Sequence, residues 1–165
     1  MRPTIPFGVG TGLYWSVDAA STFLLPYSTG GTEADIWFSP PVVDFADMPA
    51  LYAPAVALGL AAGDDINALV VIDDGSAGFS IATNLVFLSL ATGSPTLLAL
   101  GVGPEDVLIV GGGAALSLAL PGAAIGLAPG DDLNALDFHI VPEPALLTLM
   151  GSLLVLFTAV QRRRI

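Results

Sequence analysis

Gly59-Leu60-Ala61-Ala62-Gly63-Asp64-Asp65-Ile66-Asn67-Ala68-Leu69 returns later in the chain as Gly126-Leu127-Ala128-Pro129-Gly130-Asp131-Asp132-Leu133-Asn134-Ala135-Leu136. Only Ala62/Pro129 and Ile66/Leu133 differ, and both exchanges fit one environment. Two further correspondences lie upstream in the same order. Tyr14-Trp15-Ser16-Val17 is matched by Phe87-Leu88-Ser89-Leu90, and Ala34-Asp35-Ile36-Trp37-Phe38 by Glu105-Asp106-Val107-Leu108-Ile109. The body therefore reads as a tandem duplication, residues 13–74 and 86–140, with a linker at 75–85 and a glycine-rich lead-in at 1–12. A repeated block of this size completes its core against a neighbour.

Each unit is built of short strands. Leu13–Asp18 and Ala34–Ser39 are aromatic and β-branched runs, and Asp64–Ile72 leads into another before the turn residues Asp73-Asp74-Gly75. The proline-rich interval from Pro40 to Pro54 reads as an irregular surface loop. Gly111-Gly112-Gly113 lacks the lysine and Ser/Thr of a phosphate loop and reads as a turn. Strands at intervals of about 8–12 residues without a long amphipathic helix predict an all-β fold of two tandem β-rich repeats. A sandwich and a pair of propeller-like blades both satisfy this pattern. Two blades close no ring, which points to repeats preceding Met1.

Charge narrows the function. Fifteen Asp and Glu stand against four Lys and Arg, for a net charge of −11. The four are Arg2 and Arg162–Arg164, so residues 3–161 hold every acid and no fixed cation. Such a body repels nucleic acid, whose binding rests on basic side chains. Cysteine is absent, which excludes disulfides, thiolate metal sites and Cys nucleophiles. With one histidine, His139, following Phe138 in the last strand, most nucleophile–base arrangements cannot be assembled, and no enzyme activity is expected.

The C-terminal stretch, residues 141–165, has its own order. Val141-Pro142-Glu143-Pro144 is an extended spacer set by two prolines. Residues 145–160 form an uncharged apolar run of helix-forming residues, and Arg162, Arg163 and Arg164 close it before Ile165. As one helix the run spans roughly 24 Å, with the guanidinium groups reaching toward the far interface. The positive-inside rule keeps the arginines cytoplasmic and places residues 1–144 across the membrane.

This arrangement resembles the PEP-CTERM sorting signal of exported Gram-negative bacterial proteins. The resemblance covers only the C-terminal end: Pro142-Glu143-Pro144, the apolar run and Arg162–Arg164. It implies that the chain is a substrate of an exosortase in the inner membrane. Cleavage near the motif then leads to release or attachment at the cell surface, after transient anchoring by the helix. Translocation calls for a signal peptide, and Met1–Gly8 is followed by no apolar run of that length. The expectation is therefore a missing upstream part or a misassigned start.

Two candidate ligand sites remain. Asp64, Asp65 and Asn67, repeated as Asp131, Asp132 and Asn134, offer hard oxygen donors of the kind calcium prefers. Their spacing is not that of an EF-hand loop, and the same residues make a turn in which Asp side chains accept backbone N–H groups. Trp15 and Trp37 concentrate aromatic area in the first repeat, either as core or as a platform for stacking exopolysaccharide. The sequence thus describes an exported structural or adhesive protein of the surface or extracellular matrix. Its alternatives are a carbohydrate-binding module and a filament subunit that adds copies of itself at strand edges.

Overall fold

The computed structural model of the chain describes residues 13–17, 32–39, 49–76 and 78–137. Seven strands occur in these stretches: β1 Leu13–Trp15, β2 Ile36–Ser39, β3 Ala50–Ala53, β4 Ile66–Ile72, β5 Leu85–Leu90, β6 Val107–Gly111 and β7 Ala114–Leu120. Two one- to two-turn helices, α1 Ala55–Leu58 and α2 Pro95–Leu100, and a 3-10 turn at Gly122–Ile125 complete the set. The strands make two antiparallel sheets, ordered β1-β2-β3 and β4-β5-β6-β7. The architecture is all-β with short helical turns.

Alternation along the strands produces the core. Val86, Leu88 and Leu90 of β5 are buried, and the register sets Leu88 beside Leu108 and Val86 beside Val110. Phe87, between them, falls on the other face beside Val70 and Ile109. One cluster joins these residues to Ile36, Tyr52 and Ala53 of the first sheet and to Ala55, Leu58, Leu60 and Leu97. Both sheets and both helices therefore share a single apolar interior.

The helical turns have a common construction. Each starts at a proline, Pro54, Pro95 or Pro121, and ends at a left-handed glycine, Gly59, Gly101 or Gly126. The next residue folds back in all three: Leu60 N–H donates to the Ala55 carbonyl, Val102 to Leu97 and Leu127 to Gly122, each at 3.0 Å. This hydrogen bond brings an apolar side chain inward and aims the chain into the acidic turn that follows.

The paired stretches of the duplication make matching contacts. Ser16 Oγ donates to the Ile66 carbonyl at 3.3 Å, and Ser89 Oγ to the Leu133 carbonyl at 2.6 Å. The two repeated signatures also meet, since Asn67 Nδ2 donates to Asn134 Oδ1 at 3.1 Å.

One strand lies where an irregular loop was expected. Ala50-Leu51-Tyr52-Ala53 pairs with β2 although prolines flank it at 49 and 54. Those prolines bracket the strand and take none of its ladder positions. Among the described residues no helix is long and apolar enough to cross a membrane. The apolar run 145–160, the Val141–Pro144 spacer, Arg162–Arg164 and His139 lie outside the described residues.

Gly112 and Gly113 join β6 to β7 with φ of +61° and +82°, the two-residue turn whose twist suits a hairpin. Gly111 has a further constraint: a Cβ there would lie 2.0 Å from the Asn84 carbonyl oxygen, whereas Gly113 faces open space. Gly111→Ala should therefore cost roughly 2–4 kcal/mol of unfolding free energy, against about 1–2 kcal/mol for Gly113→Ala. Denaturant unfolding of the two variants side by side separates the backbone clash from the cost of positive φ.

Candidate functional site

The acidic turns turn out to be clasps. Asp64 is fully buried. Its Oδ2 accepts Ala61 N–H at 2.6 Å, closing the turn, and its Oδ1 accepts Thr96 N–H of α2 at 2.9 Å. The Thr96 hydroxyl donates to the same carboxylate. A polar side chain thus closes its own turn and caps a helix 32 residues away.

The same geometry occurs at Asp35 and Asp106. Asp35 accepts Thr32 N–H and Ala55 N–H, the first of α1, both at 2.7 Å. Asp106 accepts Gly103 N–H at 2.9 Å and Gly122 N–H, the first of the 3-10 turn, at 2.7 Å. Each antiparallel pair, β2–β3, β4–β5 and β6–β7, is thereby tied, from one or two residues before its first strand, to the helical turn that follows its return strand. None of the three turns has a local side-chain cap, since the proline or serine at the cap position makes no capping hydrogen bond. The carboxylate arrives from across the hairpin instead. At Asp131 the turn repeats, with Ala128 N–H donating at 2.8 Å, but that residue is exposed.

The remaining residues of the signature diverge in role. Asp65 donates its N–H to Ser94 Oγ at 3.1 Å, and its carbonyl accepts Ala91 N–H at 2.8 Å. Asp132 Oδ1 accepts the Thr92 hydroxyl at 2.8 Å. Asn67 and Asn134, equivalent positions of the two signatures, bond each other. A calcium shell needs six to eight oxygens aimed at one point. Around Asp64 three donors point their positive ends at the carboxylate, so Asp64 does not fit such a shell. Among the described residues no three His, Cys, Asp or Glu side chains are gathered to hold a metal.

The aromatic residues divide by face. Trp37 is buried, with 4% of its surface exposed, and Trp15 is half-buried. Their rings stack on each other at 6.1 Å and 24°, and Trp15 Nε1 donates to Ser39 Oγ at 3.0 Å. A sugar platform needs open ring faces, and Trp37 offers none. Tyr14, Phe38 and Tyr52 pack together on the core side, Tyr14 against the other two at 5.0 and 4.7 Å.

Beneath that aromatic group lies a hub that the sequence reading treated as a turn. Asp73 Oδ2 accepts the Tyr14 hydroxyl at 2.5 Å, and Oδ1 accepts the Tyr52 hydroxyl at 3.2 Å and Asn84 Nδ2 at 2.9 Å. β1, β3 and the start of β5 converge on the end of β4 through this one carboxylate. Burial pushes both phenol groups above their ordinary range, reinforced by the Asp73 hydrogen bond and charge. Asp74 beside it is held below the usual carboxylate range, first by Ser76 and then by Thr83 and Asn84. The available signal was that Asp73 ends a seven-residue strand whose neighbours are aromatic, but nothing local names its partners.

Comparison with protein-family models, curated proteins and solved structures gave no match.

Two measurements follow from this geometry. Alanine at Asp64 should lower unfolding free energy most, by about 3 kcal/mol, with smaller losses at Asp106 and within about 1 kcal/mol at exposed Asp131. Denaturant midpoints for the series test that order. The phenol groups fix a pH dependence. Their folded values lie above the ordinary 10.0, so their contribution is complete below that pH and is lost as pH rises beyond it. Alkaline unfolding should therefore shift when Tyr14→Phe and Tyr52→Phe are introduced together, and stability of the parent should be insensitive to these groups near neutrality.

Proposed function

We propose that this chain is an exported structural or adhesive protein of the bacterial surface or extracellular matrix, sorted through its C-terminal signal. One observation carries the reading: Val141-Pro142-Glu143-Pro144, an uncharged apolar run over 145–160 and Arg162–Arg164 occur together and in that order. On this reading residues 145–160 form a single membrane helix with its arginines on the cytoplasmic side. An exosortase recognises the Pro-Glu-Pro segment and cuts near it, and the chain acts as its substrate. The two-sheet body, read as a sandwich, remains outside the inner membrane.

The body's construction supports that role. Asp35, Asp64 and Asp106 are satisfied by backbone N–H groups, with the Thr96 hydroxyl at Asp64, so the clasps need neither a disulfide nor a lysine. The chain's net charge of −11, with three of its four arginines confined to the C-terminal end, keeps the body hydrated beside polysaccharide. The carbohydrate-module alternative has less support, because Trp15 and Trp37 stack on one another and Trp37 is buried.

The test is to express the chain behind a cleavable export signal in a bacterium with its exosortase intact and in a strain lacking it. A tag at exposed Ser76 reports the body. The expected result is a shorter species, lacking the arginine end by mass spectrometry, in the intact strain alone. Replacing Pro142, Glu143 and Pro144 by alanine should leave the tail in place and the protein in the inner membrane. Identical processing in the two strains would overturn the sorting assignment.

A further inference from the structure

We infer that β7 is the surface through which two copies of this chain pair, edge to edge, in an antiparallel ladder centred on Ser117. The four-stranded sheet ends at β7, which among the described residues is hydrogen-bonded to β6 on one side only. Its seven residues, Ala114-Ala115-Leu116-Ser117-Leu118-Ala119-Leu120, include no charge and no proline. All are exposed except half-buried Leu116, and Leu118 and Leu120 keep 43% and 39% of their surface in solvent.

Such an edge is usually blunted. Native edge strands are shortened, charged, interrupted by proline or covered. The corresponding edge of the first sheet shows three of these devices. β3 has four residues, prolines flank it at 49 and 54, and Phe79 N–H donates to the Tyr52 carbonyl at 3.0 Å on its outer side. Among the described residues β7 has none of them. An apolar ladder left open beside a protected counterpart is suited to a partner strand.

The identity of that partner follows from the side-chain order. Reading outward from Ser117, Leu116 mirrors Leu118 and Ala115 mirrors Ala119. An antiparallel two-fold through Ser117 therefore sets serine against serine, Leu116 against the second copy's Leu118, and Ala115 against its Ala119. Those are self-complementary pairs, as an isologous contact requires. The contact joins four strands from each copy into one continuous sheet and closes on itself, so it yields dimers and not filaments. Because every copy carries a net charge of −11, repulsion opposes pairing and salt should strengthen it.

The chain has no cysteine, which gives a direct test of register. Full-length chain is prepared with Ser117→Cys in excess detergent micelles, beside Ala123→Cys as an exposed control outside the strand. Directly opposed antiparallel residues lie within disulfide reach. Mild oxidation should crosslink the Ser117→Cys chain at least tenfold faster than the control, and faster in high salt than in low. Equal rates would overturn the proposal.

A charge exchange at the same position gives the second arm. Ser117→Asp and Ser117→Lys should each sediment as monomers under conditions where the parent dimerises, and their mixture should restore the dimer. Thermal unfolding of each variant should match the parent, since Ser117 is exposed. A parent that stays monomeric in high salt at high concentration would refute the pairing, as would variants that dimerise separately.

Discussion

The fold depends on a carboxylate held by backbone N–H groups. A buried carboxylate loses several kcal/mol of hydration, and proteins usually offset that with Lys or Arg. Residues 3–161 have neither. At Asp64 two backbone N–H groups and the Thr96 hydroxyl take that part. Each hydrogen bond to a charged acceptor contributes about 1.5–3 kcal/mol, so three match a penalty of that size. The start of a helical turn adds a favourable field. Backbone donors also do something a lysine cannot: they have fixed positions, so satisfying the charge sets where the return strand must end.

That constraint spreads through the molecule because the donors are distant in sequence. Asp35, Asp64 and Asp106 reach 20, 32 and 16 residues ahead to their helical turns. Asp64 stands just before β4 and Thr96 in α2 after β5, so this clasp ties the entry of one strand to the exit of the next. Asp73 ties the sheets in the same manner, receiving Tyr14 and Tyr52 from one and Asn84 from the other. The apolar cluster then fills the space these polar ties enclose. A body secured this way carries its surplus acids outward, in keeping with the proposed role at a hydrated surface.

Much of this was legible locally. Aromatic and β-branched runs placed β1, β2 and β4, and Gly111-Gly112-Gly113 read as the turn that joins β6 to β7. The Asp-Asp signature was recognisable as a turn because Asp accepts the N–H three residues back, a contact within reach of any local reading. β3 was hidden because Pro49 and Pro54 speak for a loop over a short range, while the strand between them is decided by pairing with Ile36–Phe38. Likewise the aromatic residues advertised themselves as a pair, but burial of Trp37 depends on the sheet face on which it falls.

The sequence by itself determined that the chain is all-β and acidic, that it repeats the Asp-Asp-x-Asn-Ala-Leu signature, and that it ends in Pro-Glu-Pro, an apolar run and arginines. These follow from periodicity, turn chemistry and charge, each a property of neighbouring residues. Only the tertiary structure decided that Asp64 is a buried clasp and no open ligand, that Asp73 joins two sheets, and that β7, among the described residues, is paired on one side only. Those outcomes rest on which donors and strands meet across loops of unequal length, and spacing along the chain does not encode such meetings.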